Sequence, residues 1–269
     1  IKSDVIEHDR EKKQISYKNA YLKIYDVPIL YFPKFFHPDP SVNRQSGLLT
    51  PRINNSDALG SSLTMPYFGV ISENKDFTFR PSWFDNDILS FQNEYRQKNE
   101  NSSFLADFGF VNGYKSSTTK KKNSLSHLFA NFDLNLKLKE FITSNLFVSI
   151  EQVSNDSYLK IFDEHITKSK ARPDNLDVLD NQIKLTLHHN NYDFESGFHA
   201  YETLSGIDSD RYQYVLPYYN FSTVLEKKYL NGSIGFSSNG SNNLNNTNDL
   251  KSRIVNNVNY QTDKYITNS

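Results

Sequence analysis

Strict period-two alternation between residues 128 and 139, "LFANFDLNLKLK", is the feature that most constrains the fold. Successive side chains of a strand point to opposite faces of a sheet, whereas a helix places residues three or four apart on one face. The segment therefore predicts one long strand with an apolar face and a mainly polar face. The apolar face holds Leu128, Ala130, Phe132, Leu134, Leu136 and Leu138, and the other holds Phe129, Asn131, Asp133, Asn135, Lys137 and Lys139.

The same alternation recurs along the chain, while helical periodicity is almost absent. It is present in "FLADFGF", "NLFVSIEQ", "QIKLTLHH" and "YDFESGFHAY". From residue 48 onward we predict about twelve strands, many near the ~10 residues with which a tilted strand crosses a membrane. The expected fold class is all-β and antiparallel.

The predicted connections sort by length. Short ones are expected at 72–75, 98–101, 139–140, 189–191 and 226–228, and longer ones at 84–87, 112–124, 155–175, 205–210 and 237–249. Short and long connections mostly alternate, as they do in a transmembrane β-barrel whose longer loops share one end. The polar strand faces would then line a hydrated lumen; they are also compatible with the wet side of a soluble sheet.

The first part of the chain has a different character. Residues 1–33 are predicted to end a β domain, 34–47 to form a stiff connector, and 48–269 to begin the barrel. Residues 19–41 are expected to form two strand-like segments broken by prolines, because each proline lacks a backbone N–H and restricts the residue before it. These prolines are Pro28, Pro33, Pro38 and Pro40. Because the sequence opens without Met, we expect a piece of a longer protein.

Residues 48–71, "LLTPRINNSDALGSSLTMPYFGVI", predict a hairpin with a proline on each strand, Pro51 and Pro66. Proline removes a ladder hydrogen bond and is normally confined to edge strands, strand starts and bulges. Two prolines in one hairpin therefore predict weakened pairing. Alternatively, Pro51 marks a strand start and Pro66 a bulge.

Composition excludes several functions. The net charge of −1 gives no reason to expect a nucleic-acid partner. The chain has no cysteine, so it can form no disulfide and no thiolate metal site. No stretch reaches the ~18 apolar residues of a membrane helix. We expect no cofactor.

Four polar clusters fail to predict catalysis or metal binding. His188 and His189 are neighbours on a strand and should point to opposite faces. The 85–87 segment, "DND", is predicted to be a turn, because the glycine and distal glutamate of a calcium loop are missing. The acidic pair at 163–164 has no partner for paired-carboxylate chemistry. The basic residues 120–122 could meet lipid phosphates, and a solvated loop is the simpler interpretation. No enzyme is predicted.

The junction with the barrel resembles a known family. "VPILYFPKFFHPDPSVNRQSGLLTPRI", "LGSSLTMPYFGVISENKDFTFRPSWF" and "LSFQNEYRQ" occur in the order found in the LptD (OstA) family of lipopolysaccharide-assembly proteins. The stretch "DSDRYQYVLPYYNFS" is similar to a later barrel strand of that family. The resemblance is specific over 27–96, and from 97 to 269 mainly the strand pattern agrees.

The resemblance implies a translocon in the outer membrane. It implies a periplasmic β-jellyroll that receives lipopolysaccharide from an LptA-like bridge, and a barrel filled by an LptE-like lipoprotein plug. The lipid would leave through a seam between the first and last strands, with Pro51 and Pro66 as its lateral gate. Pro28, Pro33, Pro38, Pro40 and Arg44 would lie along the connector and lipid path.

This chain differs from the family at two points. Gln45 follows Arg44 where members often carry a second basic residue, and the family's disulfides cannot form within this stretch. Two other interpretations stay open: a different outer-membrane barrel of porin or receptor type, and a soluble carbohydrate-binding or hydrolytic β-sandwich. A porin would have no reason for the prolines of the first hairpin.

Overall fold

The computed structural model describes residues 2–11, 13–39, 44–57, 59–115, 122–207, 211–227, 232–246 and 248–262. In these ranges the chain is almost entirely antiparallel strand, with one short helix. It divides into two compact units. The first contains residues 1–95 and 111–124, and the second contains 96–110 and 125–269.

The first unit begins with a three-stranded sheet in the order β1-β2-β3. Aromatic pairs support it; the Tyr21 and Tyr31 rings, for example, lie across β2 and β3 with centroids 4.9 Å apart. Its strands are β1 (Val5–Asp9), β2 (Gln14–Ile24) and β3 (Val27–Pro38).

Strand β3 runs without interruption through its prolines, so the predicted break in this segment is wrong. In the described residues β3 is an edge strand, where a missing N–H costs little. Pro28 lies at a shift of register, and Pro33 lies opposite Asn19, whose φ is +51°. The prolines are thus accommodated at irregular points of the pairing. The predicted domain boundaries at 33 and 47 stay a prediction.

The rest of the first unit is a series of hairpins. β5 pairs with β6, and β6 and β7 both pair with β8. β4 pairs with β7, so β4–β5 and β6–β7 form two divided strands of one hairpin. The strands are β4 (Gly47–Leu48), β5 (Arg52–Ser56), β6 (Gly60–Thr64), β7 (Tyr67–Ser72), β8 (Lys75–Phe84) and β9 (Leu89–Lys98).

From β11 to β17 consecutive strands pair antiparallel, and β10 is the neighbour of β11 in the strand order. If β4–β5 and β6–β7 are each counted as one divided strand, they make twelve strands together with the ten from β8 to β17 in the described residues. The prediction of about twelve strands is therefore confirmed. The elements are β10 (Ser102–Lys115), β11 (Lys122–Asn135), β12 (Thr143–Val153), α1 (Tyr158–Ile161), β13 (Val178–His188), β14 (Tyr192–Thr203), β15 (Tyr212–Lys227), β16 (Gly232–Asn245) and β17 (Asp249–Thr262).

Two predicted connections are wrong. The asparagine-rich residues 237–245 belong to β16, and β17 begins at Asp249. Asparagine disfavours strands in general, but here Asn239 lies opposite Asn220, and Asn245 lies opposite Gln213 and Asp249. Strand β11 ends at Asn135, earlier than its alternation predicted, and the connection to β12 is 136–142.

The sheet of the second unit has one exposed apolar face. A cross-strand row joins Phe132, Val148, Ile183 and Phe198. Ile183 and Phe198 expose 48% and 46% of their surface. A soluble sheet normally buries such a face, so this row is an unusual surface for a water-soluble domain.

The all-β antiparallel fold is confirmed. No helix in the described ranges is both long and apolar enough to span a membrane. Among the described residues, the strand order ends at β5 in the first unit and at β17 in the second, so each unit has an unpaired edge strand.

Candidate functional site

The hairpin predicted at residues 48–71 is present, and both of its strands are interrupted at a proline. The break separates β4 from β5 on one strand and β6 from β7 on the other. Leu48 lies opposite Tyr67 and Arg52 opposite Thr64, so three residues on the first strand face two on the second. This is the arrangement of a β-bulge, which bends a strand and removes ladder bonds. Pro51 belongs to its longer side.

At the break, Leu49 and Pro66 keep half of a normal pairing. The Leu49 N–H donates to the Pro66 carbonyl at 2.8 Å. Residues of a hydrogen-bonded antiparallel pair exchange two such bonds, but Pro66 has no N–H for the reciprocal one. The structure therefore brings both predicted gate prolines to the same level of one hairpin.

A third proline, Pro81, extends this level to the next strand. The Met65 N–H donates to the Pro81 carbonyl at 3.1 Å, and Pro81 cannot return the bond. Pro81 was missed from sequence because it lies inside an ordinary strand, β8, and register alone brings it beside the break. We call Pro51, Pro66 and Pro81 the proline row.

Arg44 has a structural role within the first unit. Its guanidinium forms an ion pair with Asp76 and donates to the carbonyls of Ser72, at 3.2 Å, and Glu73. These bonds hold Arg44 against the turn that joins β7 to β8. The predicted role of Arg44 on the lipid path stays a prediction. To bind a phosphate, its guanidinium would have to do so while it is paired with the Asp76 carboxylate.

The three connector prolines that the structure describes lie along one strand. Pro28 and Pro33 lie on β3, Pro38 is the last residue of that strand, and Pro40 lies outside the described residues. Their predicted place on the lipid path is a proposal taken up below.

The other polar clusters have separate local partners. His188 pairs with Asp193, whereas the ring of His189 stacks on Tyr192 with centroids 4.7 Å apart. Asp163 pairs with Arg172. Among the described residues no group of His, Cys, Asp and Glu could hold a metal ion.

Residues 85–87 form the predicted turn, which supports the hairpin opposite it. Asp85 accepts the Ser61 N–H at 3.0 Å, and the Asn86 amide donates to the Leu59 carbonyl at 3.1 Å. Gly60 has φ +81°, and a Cβ there would lie 1.9 Å from Asp85. Lys120 and Lys121 lie outside the described residues, and Lys122 begins β11.

A buried polar cluster in the second unit was not predicted. His127 and Asp107 are fully buried, with His127 Nε2 3.4 Å from Asp107 Oδ1 and Nδ1 2.8 Å from the Tyr158 hydroxyl. A carboxylate can only accept, so Nε2 carries the hydrogen and Nδ1 accepts from Tyr158. Burial and the nearby Asp107 carboxylate raise the pKa of Tyr158 well above its usual range. Gly109 leaves room for the ring, because a Cβ would lie 2.3 Å from His127.

Through this cluster the connection 154–177 packs inward. Five of its apolar residues are buried, although the sequence predicted an external loop. They are Tyr158, Leu159, Phe162, Ile166 and Ala171. The connection is also tied at its surface: Arg211 binds both oxygens of Asp156, at 2.7 and 3.1 Å, and Glu202 at 2.7 Å. Arg211 lowers the pKa of Asp156, and the two carboxylates raise the pKa of Arg211. We call residues 154–177 the inward segment.

Comparisons with known proteins identify relatives. No family model matches the chain. It is 31% identical to LPS-assembly protein LptD of Pseudoalteromonas translucida over 167 residues, which are 61% of this chain and 21% of that protein. It is 26% identical to the LptD of Legionella pneumophila over 217 residues, 77% of this chain and 25% of the relative. The match to the LptD of Nitrosospira multiformis is 35% identical over 121 residues, which are 44% of this chain and 13% of that relative.

The chain spans about a quarter or less of the length of these relatives. Over the matched segments it is a relative of LPS-assembly protein LptD, and the family resemblance predicted from its sequence is confirmed.

Proposed function

We propose that this chain is the part of a lipopolysaccharide translocon in which a periplasmic domain passes into an outer-membrane β-barrel. The barrel would insert lipopolysaccharide into the outer leaflet through a lateral seam at its first strands. The observation that carries the proposal is the proline row, together with the similarity to LptD proteins.

The physical argument begins with the missing bonds. A net protein hydrogen bond contributes about 0.5–1.5 kcal/mol, and more where no water can replace it. Pro66 and Pro81 each leave one bond unmade on adjacent strand pairs at one level. The first hairpin can therefore separate there at lower cost than the β13–β14 and β16–β17 ladders, whose pairing has no shift of register.

The two faces of the second unit support a membrane location. The exposed apolar row of Phe132, Val148, Ile183 and Phe198 would meet lipid, and the polar face would line the lumen. The proposed location is the outer membrane, with the N-terminal part in the periplasm.

The proposed partners follow from the family. They are lipopolysaccharide, an LptE-like lipoprotein plug in the lumen, and an LptA-like periplasmic bridge that meets the N-terminal sheet. Pro28, Pro33, Pro38, Pro40 and Arg44 would lie between that sheet and the barrel, and nucleic acid has no part in this function. The proposed activity is transport, without a catalytic residue.

Depletion tests the function. In cells whose single copy of the full-length protein is depleted, newly made lipopolysaccharide should stop reaching the cell surface. An impermeant hydrazide that labels periodate-oxidised surface sugars would measure it, with re-expression as the control. Unchanged surface labelling after depletion would contradict the proposal.

A further inference from the structure

The inward segment is fastened to β11 on one side. The Ser154 N–H donates to the Ser126 carbonyl at 2.9 Å, and the Ser126 N–H donates to Ser154 Oγ at 2.7 Å. The Tyr158 ring lies 5.4 Å from the His127 ring, and its hydroxyl hydrogen-bonds to Nδ1 of that histidine at 2.8 Å. His127 also stacks on Phe129, with centroids 4.4 Å apart. The beginning of the inward segment is thus anchored on β11.

This anchorage extends to β10 and along β11. His127 Nε2 lies 3.4 Å from Asp107 Oδ1, and Asp107 belongs to β10. On the same face of β11 as His127, the Asn131 amide donates to the Lys170 carbonyl at 3.0 Å. The inward segment therefore contacts β11 at two levels and reaches β10 through the buried histidine.

The inward segment is also fastened on the other side of β12 and β13, the two strands that it joins. Arg211 links Asp156 of the segment to Glu202 of β14. The Leu204 N–H donates to the Asp177 carbonyl at 2.8 Å. Both contacts connect the segment to the end of β14 and the start of β15.

The two fastenings lie far apart in the sheet. Neighbouring strands are about 4.8 Å apart, so the six strands from β10 to β15 extend over roughly 24 Å. Between the fastenings Leu159, Phe162 and Ile166 are buried. The inward segment is therefore a packed connection across six strands.

Such a connection restrains a property that strand pairing leaves adjustable. Backbone ladders hold each pair of strands together, yet the twist between neighbouring strands varies from about −10° to −35°. The curvature of several strands together can therefore change while their hydrogen bonds persist. A segment packed on the sheet and fastened on both sides resists that change, because a different curvature would break one of its fastenings.

We propose that the inward segment is a brace that fixes the curvature of β10–β15, with His127 and Arg211 as its two anchor residues. Both are positioning residues. This inference rests on the proposed function, in which the first hairpin separates while the remaining wall keeps its shape. A braced wall would confine the opening to the hairpin, where ladder bonds are missing.

Distances across the sheet test the brace. Nitroxide labels replace Phe108 on β10 and Phe198 on β14, which are 48% and 46% exposed. Pulsed electron paramagnetic resonance of the full-length protein in detergent measures the distribution of distances between the two labels. Arg211→Gln and, separately, Tyr158→Phe should about double the width of this distribution, because the twist between strands is no longer restrained.

A control variant and a second label pair separate this effect from general loosening. Lys160→Gln removes an ion pair with Asp177 inside the segment and should leave the width unchanged. Labels at Phe198 and Ile254 join β14 to β17, beyond the anchors, and their distribution should keep its width in every variant. Should an anchor variant lack a β-type circular dichroism spectrum, Asn131→Ala replaces it and should also broaden the first distribution.

Two results would overturn the brace. One is an unchanged width between β10 and β14 in either folded anchor variant. The other is equal broadening for both label pairs, which would mean that the whole sheet has loosened. Surface labelling after depletion does not depend on the brace. An unbroadened distribution with surface labelling still dependent on the protein would therefore reject the brace and leave the proposed function standing.

Discussion

At the scale of single residues, proline acts through the bond it cannot form. Pro66 and Pro81 each occupy one side of a hydrogen-bonded pair and leave a single bond, from Leu49 and from Met65. Sequence could predict Pro51 and Pro66 as weak points, because a hairpin was expected there. It could not predict Pro81, because strand register decides which residues are neighbours.

Restoring the two missing donors should strengthen the first hairpin. In Pro66→Ala/Pro81→Ala, each alanine regains an N–H that can return the bond, worth about 1 kcal/mol per site. Hydrogen exchange of the full-length protein in detergent should slow across residues 61–84, and the rate of lipopolysaccharide surface display should fall. Pro173→Ala, in the inward segment, is the control. Unchanged exchange in the double variant would contradict the role of the proline row.

The buried cluster makes a second prediction at this scale. Tyr158→Phe removes the hydroxyl that hydrogen-bonds to His127 Nδ1 and leaves that buried nitrogen unpaired. The expected loss of stability is about 1–3 kcal/mol, measured by denaturant unfolding of the detergent-solubilised protein. Tyr212→Phe, an exposed tyrosine, should lose little. Equal losses for the two variants would show that the hydroxyl of Tyr158 contributes nothing particular.

At the scale of elements, strand alternation was a reliable guide and connections were not. The alternation of 128–139 predicted β11, because period two follows directly from strand geometry. The inward segment was predicted as an external loop because it is long and mostly polar. The four-residue spacing of Tyr158, Phe162 and Ile166 was the sequence signal for a buried helical turn. Residues 237–245 were not predicted as strand for a different reason: asparagine is typical of turns, and cross-strand pairing keeps these asparagines in β16.

The tie between Asp156 and Arg211 should make the inward segment sensitive to acid. A carboxyl whose pKa is lowered in the folded state stabilises it above the unfolded pKa, about 3.9 for aspartate. That contribution is lost as the pH falls through the lower folded value. Opening of residues 154–177, followed by hydrogen exchange corrected for intrinsic rates, should therefore increase below about pH 4.

Two variants separate this effect from general acid unfolding. Asp156→Asn should open the segment at neutral pH and reduce its acid dependence, while Asp174→Asn, in the same segment, should behave as the unaltered protein. Identical pH profiles for Asp156→Asn and the unaltered protein would exclude the tie as the cause.

At the scale of the whole molecule, the distribution of polarity was predictable, whereas the positions of the unpaired edges were not. The alternating runs predicted an apolar and a polar face, and Ile183 and Phe198 confirm an exposed apolar face. The sequence could not show where pairing ends, because an edge strand has the same alternation as a central one.

The exposed face and edges predict how this chain behaves by itself. Expressed alone in water, residues 1–269 should aggregate, because strands β5 and β17 have open edges and the apolar face has no cover. Detergent micelles should keep it dispersed with a β-type circular dichroism spectrum. A monomer that is soluble without detergent and melts cooperatively would contradict this and favour the β-sandwich.

The measurement that tests the central claim most directly is a crosslink in living cells. A photoreactive residue replaces Leu49 or Ile53, which flank Pro51 and are 45% and 60% exposed; Ile183, similarly exposed on the second unit, is the control position. The account predicts a lipopolysaccharide adduct at 49 or 53 that disappears when upstream transport is blocked, with no such adduct at 183. Adducts to protein alone at 49 and 53, or equal lipopolysaccharide adducts at 183 and the hairpin, would contradict it.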